Sequence, residues 1–182
     1  MKANSAHTYL GIFSLIIFFS ACVKDTDFNQ ANDIVVSPIV DLDLIYFDLP
    51  AITFFDTIAS IPILTVSDTT DLPFLNDQDI VEKLKRVEFS FRATNSIQRE
   101  FQVEFQFLTE ENEISYSSQI PIDQGTVASP VVTEYIENVE GEALANLTMA
   151  GKVAVSVTIP SSNQNLDGTI KLESKATYYL EF

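Results

Sequence analysis

Arg86-Val87-Glu88-Phe89-Ser90-Phe91-Arg92-Ala93 and, after a polar break at Thr94 to Gln98, Glu100-Phe101-Gln102-Val103-Glu104-Phe105-Gln106-Phe107 decide the fold. In both runs apolar and polar residues alternate strictly. Side chains of a strand point to opposite faces in turn, so each run has one dry face and one wet one. The spacing predicts an antiparallel hairpin turning at residues 94–98, with Phe89, Phe91, Phe101, Val103 and Phe105 in the core. Five phenylalanines on one face would also suit a ligand cavity. A chain without tryptophan must nonetheless draw its core volume from some aromatic source, and core is the simpler reading.

The same period continues downstream. Glu110-Glu111-Asn112 reads as a turn, Ile114 to Ile122 as a strand and Val131 to Tyr135 as another. Asn138 to Ala150 changes to a helical period through Val139, Ala143, Leu144 and Leu147, with Gly151 where a helix stops. Val153, Val155, Val157 and Ile159 return to alternation, Ser161 to Gly168 is a polar connection, and Ile170 to Phe182 is the last strand. Upstream, Pro38, Pro50, Pro62 and Pro73 divide the chain into β-rich segments: Ile39 to Leu49, Ile52 to Ile58 and Ile63 to Val66. That is roughly the 8 to 12 residue period of a sandwich, with the prolines at edges because they donate nothing to a ladder. Asn76 is placed to cap a short helix whose Ile80, Val81 and Leu84 face the core. The expected fold is mainly β: an immunoglobulin-like antiparallel β-sandwich over residues 39–182 with one or two short helices.

The chain carries 10 Lys and Arg against 26 Asp and Glu in 182 residues, a formal charge of −16. Such a surface is a poor partner for nucleic acid or anionic lipid. No basic residue separates Lys24 from Lys83, a span that holds twelve acids, so this half reads as a single-sign field. Calcium would suit so many carboxylates, but no Asp-x-Asp-x-Asp-Gly loop occurs there and no glycine is present to turn one. A solvated acidic face is the expectation, with no metal and no cofactor. The only cysteine is Cys22 and the only histidine is His7. Beyond residue 22, thiol chemistry and thiolate or imidazole metal sites therefore lack their residues.

Lys2, the ten-residue apolar run Leu10 to Phe19, and Ser20-Ala21-Cys22 form an N-terminal address. The run is too short to span a ~30 Å hydrocarbon core as a helix. The stretch resembles a bacterial lipobox, departing from it at Phe19, where leucine is usual. The resemblance implies a signal peptide over 1–21, cleavage before Cys22 and a diacylglyceryl anchor on that cysteine. Removing 1–21 takes away Lys2 and no acid, leaving a charge of −17. Val23-Lys24-Asp25-Thr26-Asp27 resembles the export signal of Bacteroidota surface lipoproteins, which implies that Lys24, Asp25 and Asp27 route the protein to the outer face of the outer membrane. Residues 22–38 then read as a lipidated flexible tether. Asp56-Thr57-Ile58 and Asp68-Thr69-Thr70 resemble the O-glycosylation acceptor of exported Bacteroidota proteins, at Thr57 and Thr69.

Catalytic equipment is sparse. There is no Gly-x-Ser-x-Gly elbow and no histidine base, and only a carboxylate pair would serve a hydrolase. The layout resembles the small immunoglobulin-like lipoproteins that accompany outer-membrane transporters, secretion pores and barrel-assembly machines. That resemblance implies a non-enzymatic binding or accessory module with an outer-membrane protein partner. The alternative is a carbohydrate-binding surface lipoprotein, for which a row of outward-facing tyrosines would be the sign. A carboxylate-dependent hydrolase is the remote third reading.

Overall fold

The computed structural model of the protein describes residues 35–182. The signal, Cys22 and the export residues Lys24, Asp25 and Asp27 lie outside the described residues. In chain order the strands are β1 (Ile39–Pro50), β2 (Phe55–Asp56), β3 (Ile61–Pro62), β4 (Thr65–Asp71), β5 (Leu84–Asn95), β6 (Phe101–Leu108), β7 (Ile114–Ile122), β8 (Val131–Val139), β9 (Lys152–Thr158) and β10 (Thr169–Leu180). The helices are α1 (Gln78–Val81) and α2 (Gly141–Leu147).

Two four-stranded antiparallel sheets carry the fold, in the orders β1-β10-β5-β8 and β4-β9-β6-β7. The antiparallel β-sandwich with two short helices is thus the observed architecture. Its strands interleave, first beside last in one sheet and the next pair inward beside each other in the second, which is the order of a jelly roll. Pairing also continues one step before β1: Val36 and Phe182 exchange backbone hydrogen bonds at 3.3 and 2.9 Å.

β5 and β6 are not a hairpin. β5 pairs with β10 and β8, while β6 pairs with β7 and β9. Residues 96–100 cross from one sheet to the other, so the two phenylalanine faces meet across the core instead of lying side by side. Phe89 stacks on Phe107 with centroids 5.2 Å apart, and Phe91 meets Phe105 at 4.6 Å. Phe89, Phe91, Phe101, Val103, Phe105, Val155 and Val157 are all buried, each large side chain contributing roughly 1.5–3 kcal/mol by leaving water.

Other boundaries move for local reasons. Ala51–Phe54 is a 3-10 turn that buries Ala51 and Phe54, leaving only two residues of the expected 52–58 strand in β2. α1 is capped by Asp77, not Asn76: its carboxylate accepts the amides of Asp79 and Ile80 at 3.0 and 3.4 Å. Leu84 then opens β5. β8 runs to Val139, so α2 starts later than its period suggested, at Gly141 with φ +60°. Phe182 is exposed and stays out of the core.

Folding relieves part of the single-sign acidic half. β1 brings Asp41 and Asp48 against β10, where Lys175 and Lys171 pair with them at 3.2 and 3.6 Å. Bases distant in sequence neutralise part of the field that the linear order displayed.

Candidate functional site

The two long sides of the sandwich are finished differently. On the β7/β8 side, Glu137 of β8 accepts hydrogen bonds from the Tyr116 hydroxyl at 2.5 Å and from the Ser118 hydroxyl of β7. Burial, with the Glu137 carboxylate beside it, pushes the Tyr116 hydroxyl up. Leu144 and Leu147 of α2 are buried over this side, which is sealed.

On the β1/β4 side the sheets gape. Among the described residues β1 pairs only with β10, and β4 only with β9, so both strands keep an unpaired edge. Between them runs a groove of about 460 Å³ whose walls include Leu44, Phe47, Leu49, Val66, Val155 and Val157. Sequence explains why it stays open. Val66 faces inward beside Val157, but alternation then places Asp68 and Thr70 on the same inward face. The Asp68 carboxylate accepts only the neighbouring Thr69 amide, at 2.8 Å, among the described residues; a carboxylate and a hydroxyl so thinly bonded resist burial, and the sheets do not close over them.

β1 contributes a bulge. Its register against β10 slips between Asp43 and Tyr46, setting Leu44 and Ile45 opposite Ser174. The Ser174 hydroxyl accepts the Ile45 amide at 2.9 Å and donates to the Ile45 carbonyl at 2.7 Å, replacing the ladder bonds that the extra residue forfeits. Leu44, Ile45 and Phe47 end half-buried at the groove. Bulges and edge charges also discourage indiscriminate strand pairing, and Asp43 and Asp68 stand along these two strands with no ion pair among the described residues.

The sequence-predicted positions do not assemble into one site. Thr57 is exposed in the turn after Asp56, whose carboxylate accepts the amides of Ile58 and Ala59 at 2.8 and 2.9 Å. These bonds hold the Asp56 carboxyl below its ordinary range. Thr69 is exposed on β4, across from Ala154 of β9. Both are accessible and lie on separate elements. Among the described residues no three His, Cys, Asp or Glu side chains come together as a metal cage. The tyrosines do not form a row: Tyr178 is buried, Tyr116 is tied to Glu137, Tyr179 lies under Arg86 at 3.7 Å, Tyr135 stacks on Phe91 at 6.3 Å, and Tyr46 is exposed with the Lys171 ammonium 5.9 Å from its ring. The groove itself was missed, although the broken alternation Val66, Asp68, Thr70 signals it.

No family model matches the chain, and no curated protein matches it. Among solved structures it is similar to the VP2 subviral particle of infectious bursal disease virus, at 5% identity and TM-score 0.46, over 79% of this chain and 32% of that one. It is also similar to a protein of Parabacteroides distasonis ATCC 8503 described as secreted, at 16% identity and TM-score 0.43, over 63% of this chain and 37% of that one. A third likeness is to the enzymatically active domain of tailspike protein 4 of bacteriophage CBA120, at 12% identity and TM-score 0.37, over 80% of this chain and 19% of that one. The chain therefore spans little more than a third of the length of these proteins, or less.

Proposed function

We propose that the protein is a non-enzymatic docking module, held at the outer membrane by lipid on Cys22, routed to the cell exterior by Lys24, Asp25 and Asp27, and bound there to an outer-membrane protein. The observation that supports docking best is the β1/β4 groove: apolar walls with Asp68 among them, two unpaired strand edges, and Asp43 exposed beside the β1 bulge. An extended segment of the partner, alternating apolar with Lys or Arg residues, fits it. Main-chain bonds to an edge provide affinity, the apolar side chains fill the groove, and the basic ones meet Asp43 and Asp68. A lipid anchor confines both proteins to one membrane and raises effective concentration, so a modest interface suffices.

Two arms test the reading. The Cys22→Ser variant is expected to leave unprocessed precursor or soluble protein, and its fractionation with the outer membrane like the parent would refute the anchor. For docking, the native protein is purified from mild detergent beside an Asp43→Lys/Asp68→Lys variant of unchanged thermal stability. One stoichiometric outer-membrane protein should accompany the parent and be lost from the variant. Equal recovery with both, or self-association of the purified protein through this edge, would overturn the proposed occupant.

A further inference from the structure

One end of the sandwich is built with more care than a set of connections requires. Asn95, with no exposed surface, donates to the Arg99 carbonyl at 2.7 Å and the Asp123 carbonyl at 2.9 Å, and accepts the Ile97 amide at 2.8 Å. It staples the β5–β6 connection to the end of β7. Gly125 lies so close that a Cβ there would stand 2.0 Å from the Asn95 carbonyl oxygen, and Gly168, at φ +103°, would place one 2.4 Å from that of Ser96. Only glycine fits either position. Three connections, after β5, β7 and β9, are thereby fixed against one another.

A polar pocket of about 380 Å³ rests on this base, lined among others by Gln98, Arg99, Asn163, Asn165, Leu166 and Asp167. Arg99 is held by two bonds: its Nε donates to Ser161 Oγ at 3.0 Å and an Nη to the Gln98 carbonyl at 2.6 Å. A guanidinium has five N–H donors, so several remain available. Arg86 and Arg92 pair with glutamates, whereas Arg99 has no carboxylate partner among the described residues, in a chain with 26 acids for 10 bases. The Ser162 hydroxyl of the same loop is buried and has no hydrogen-bond partner among the described residues. The pocket shares no lining residue with the β1/β4 groove.

We propose that this pocket binds a carboxylate-bearing sugar unit, of the uronic acid type, with Arg99 engaging the carboxylate. A guanidinium recognises a carboxylate bidentately. The amides of Gln98, Asn163 and Asn165 offer both donors and acceptors to ring hydroxyls, and Leu166 offers an apolar contact to the C–H face. Asp167 selects against ligands of dense negative charge while accepting from hydroxyls, which favours one carboxylate among hydroxyls over phosphate.

Isothermal titration of the full-length protein with galacturonate, which carries a single carboxylate, and separately with neutral galactose, tests the site. Saturable binding of galacturonate is expected, with affinity at least about tenfold above that for the neutral sugar. Arg99→Gln should lower it by at least about tenfold while leaving the Asn95 staple in place, since that uses only the Arg99 backbone. Asn165→Ala should weaken the uronate and the neutral sugar alike, and serves as the second variant should Arg99→Gln melt early. Equal affinity for both sugars, no saturation by either, unchanged binding in both variants, or preference for a peptide with a free C-terminal carboxylate would each overturn the proposal.

Discussion

Phe105 and Phe182 show how little residue type says about energetic weight. Phe105 is fully buried against Phe91, while Phe182, also in an alternating run, is exposed. Phe105→Ala should therefore cost roughly 3–5 kcal/mol in denaturant unfolding and Phe182→Ala less than about 0.5 kcal/mol. Tyr178 makes a prediction of the titrating kind. Burial pushes its hydroxyl up to about 12 from an ordinary 10.0. The folded state therefore holds this proton more firmly than the unfolded one does. Its contribution is complete below pH 10 and is lost as pH rises from 10 towards 12. Tyr178→Phe should flatten the decline of melting temperature across that window; an unchanged slope would show that the hydroxyl reaches water freely.

Among the elements, β1 depends on a hydroxyl belonging to its neighbour. Ser174 satisfies both backbone groups of Ile45 in the bulge, so Ser174→Ala should cost about 1–3 kcal/mol by orphaning them. Amide exchange should accelerate at Ile45 first, and loss spread evenly over β10 would count against the bulge as the cause. Legibility was uneven at this level. Period two identified which side chains of β5 and β6 are buried, because alternation reports faces. It could not report partners, since two apolar faces bury each other equally well within one sheet or across two. α2 was recognised by Leu144 and Leu147, yet its start was misplaced because Val139 serves the inward face of β8 as readily as a helix. The groove and the Arg99 pocket were not read at all: each is assembled from residues far apart in sequence, and only the inward Asp68, the buried Asn95 and the glycines at 125 and 168 bear a local trace of them.

For the molecule as a whole, connectivity sets the folding problem. β1 pairs with β10 and β4 with β9, and among the described residues only β6–β7 and the two-residue β2–β3 pair join consecutive strands. Loop closure on that scale must precede most of the favourable contacts, so refolding from denaturant should relax in roughly milliseconds to seconds; recovery of the whole native tyrosine fluorescence within the dead time of stopped-flow mixing would contradict this. The adjacency of residues 36 and 182 has a mechanical counterpart. Their backbones meet at the same end of one sheet, so a pull between them would load the β1–β10 ladder one rung at a time instead of all rungs in parallel. In an optical trap held at those two positions the domain should unzip at low force from β1 inward, with Asp43 to Tyr46 as the place where the tearing pauses or slips.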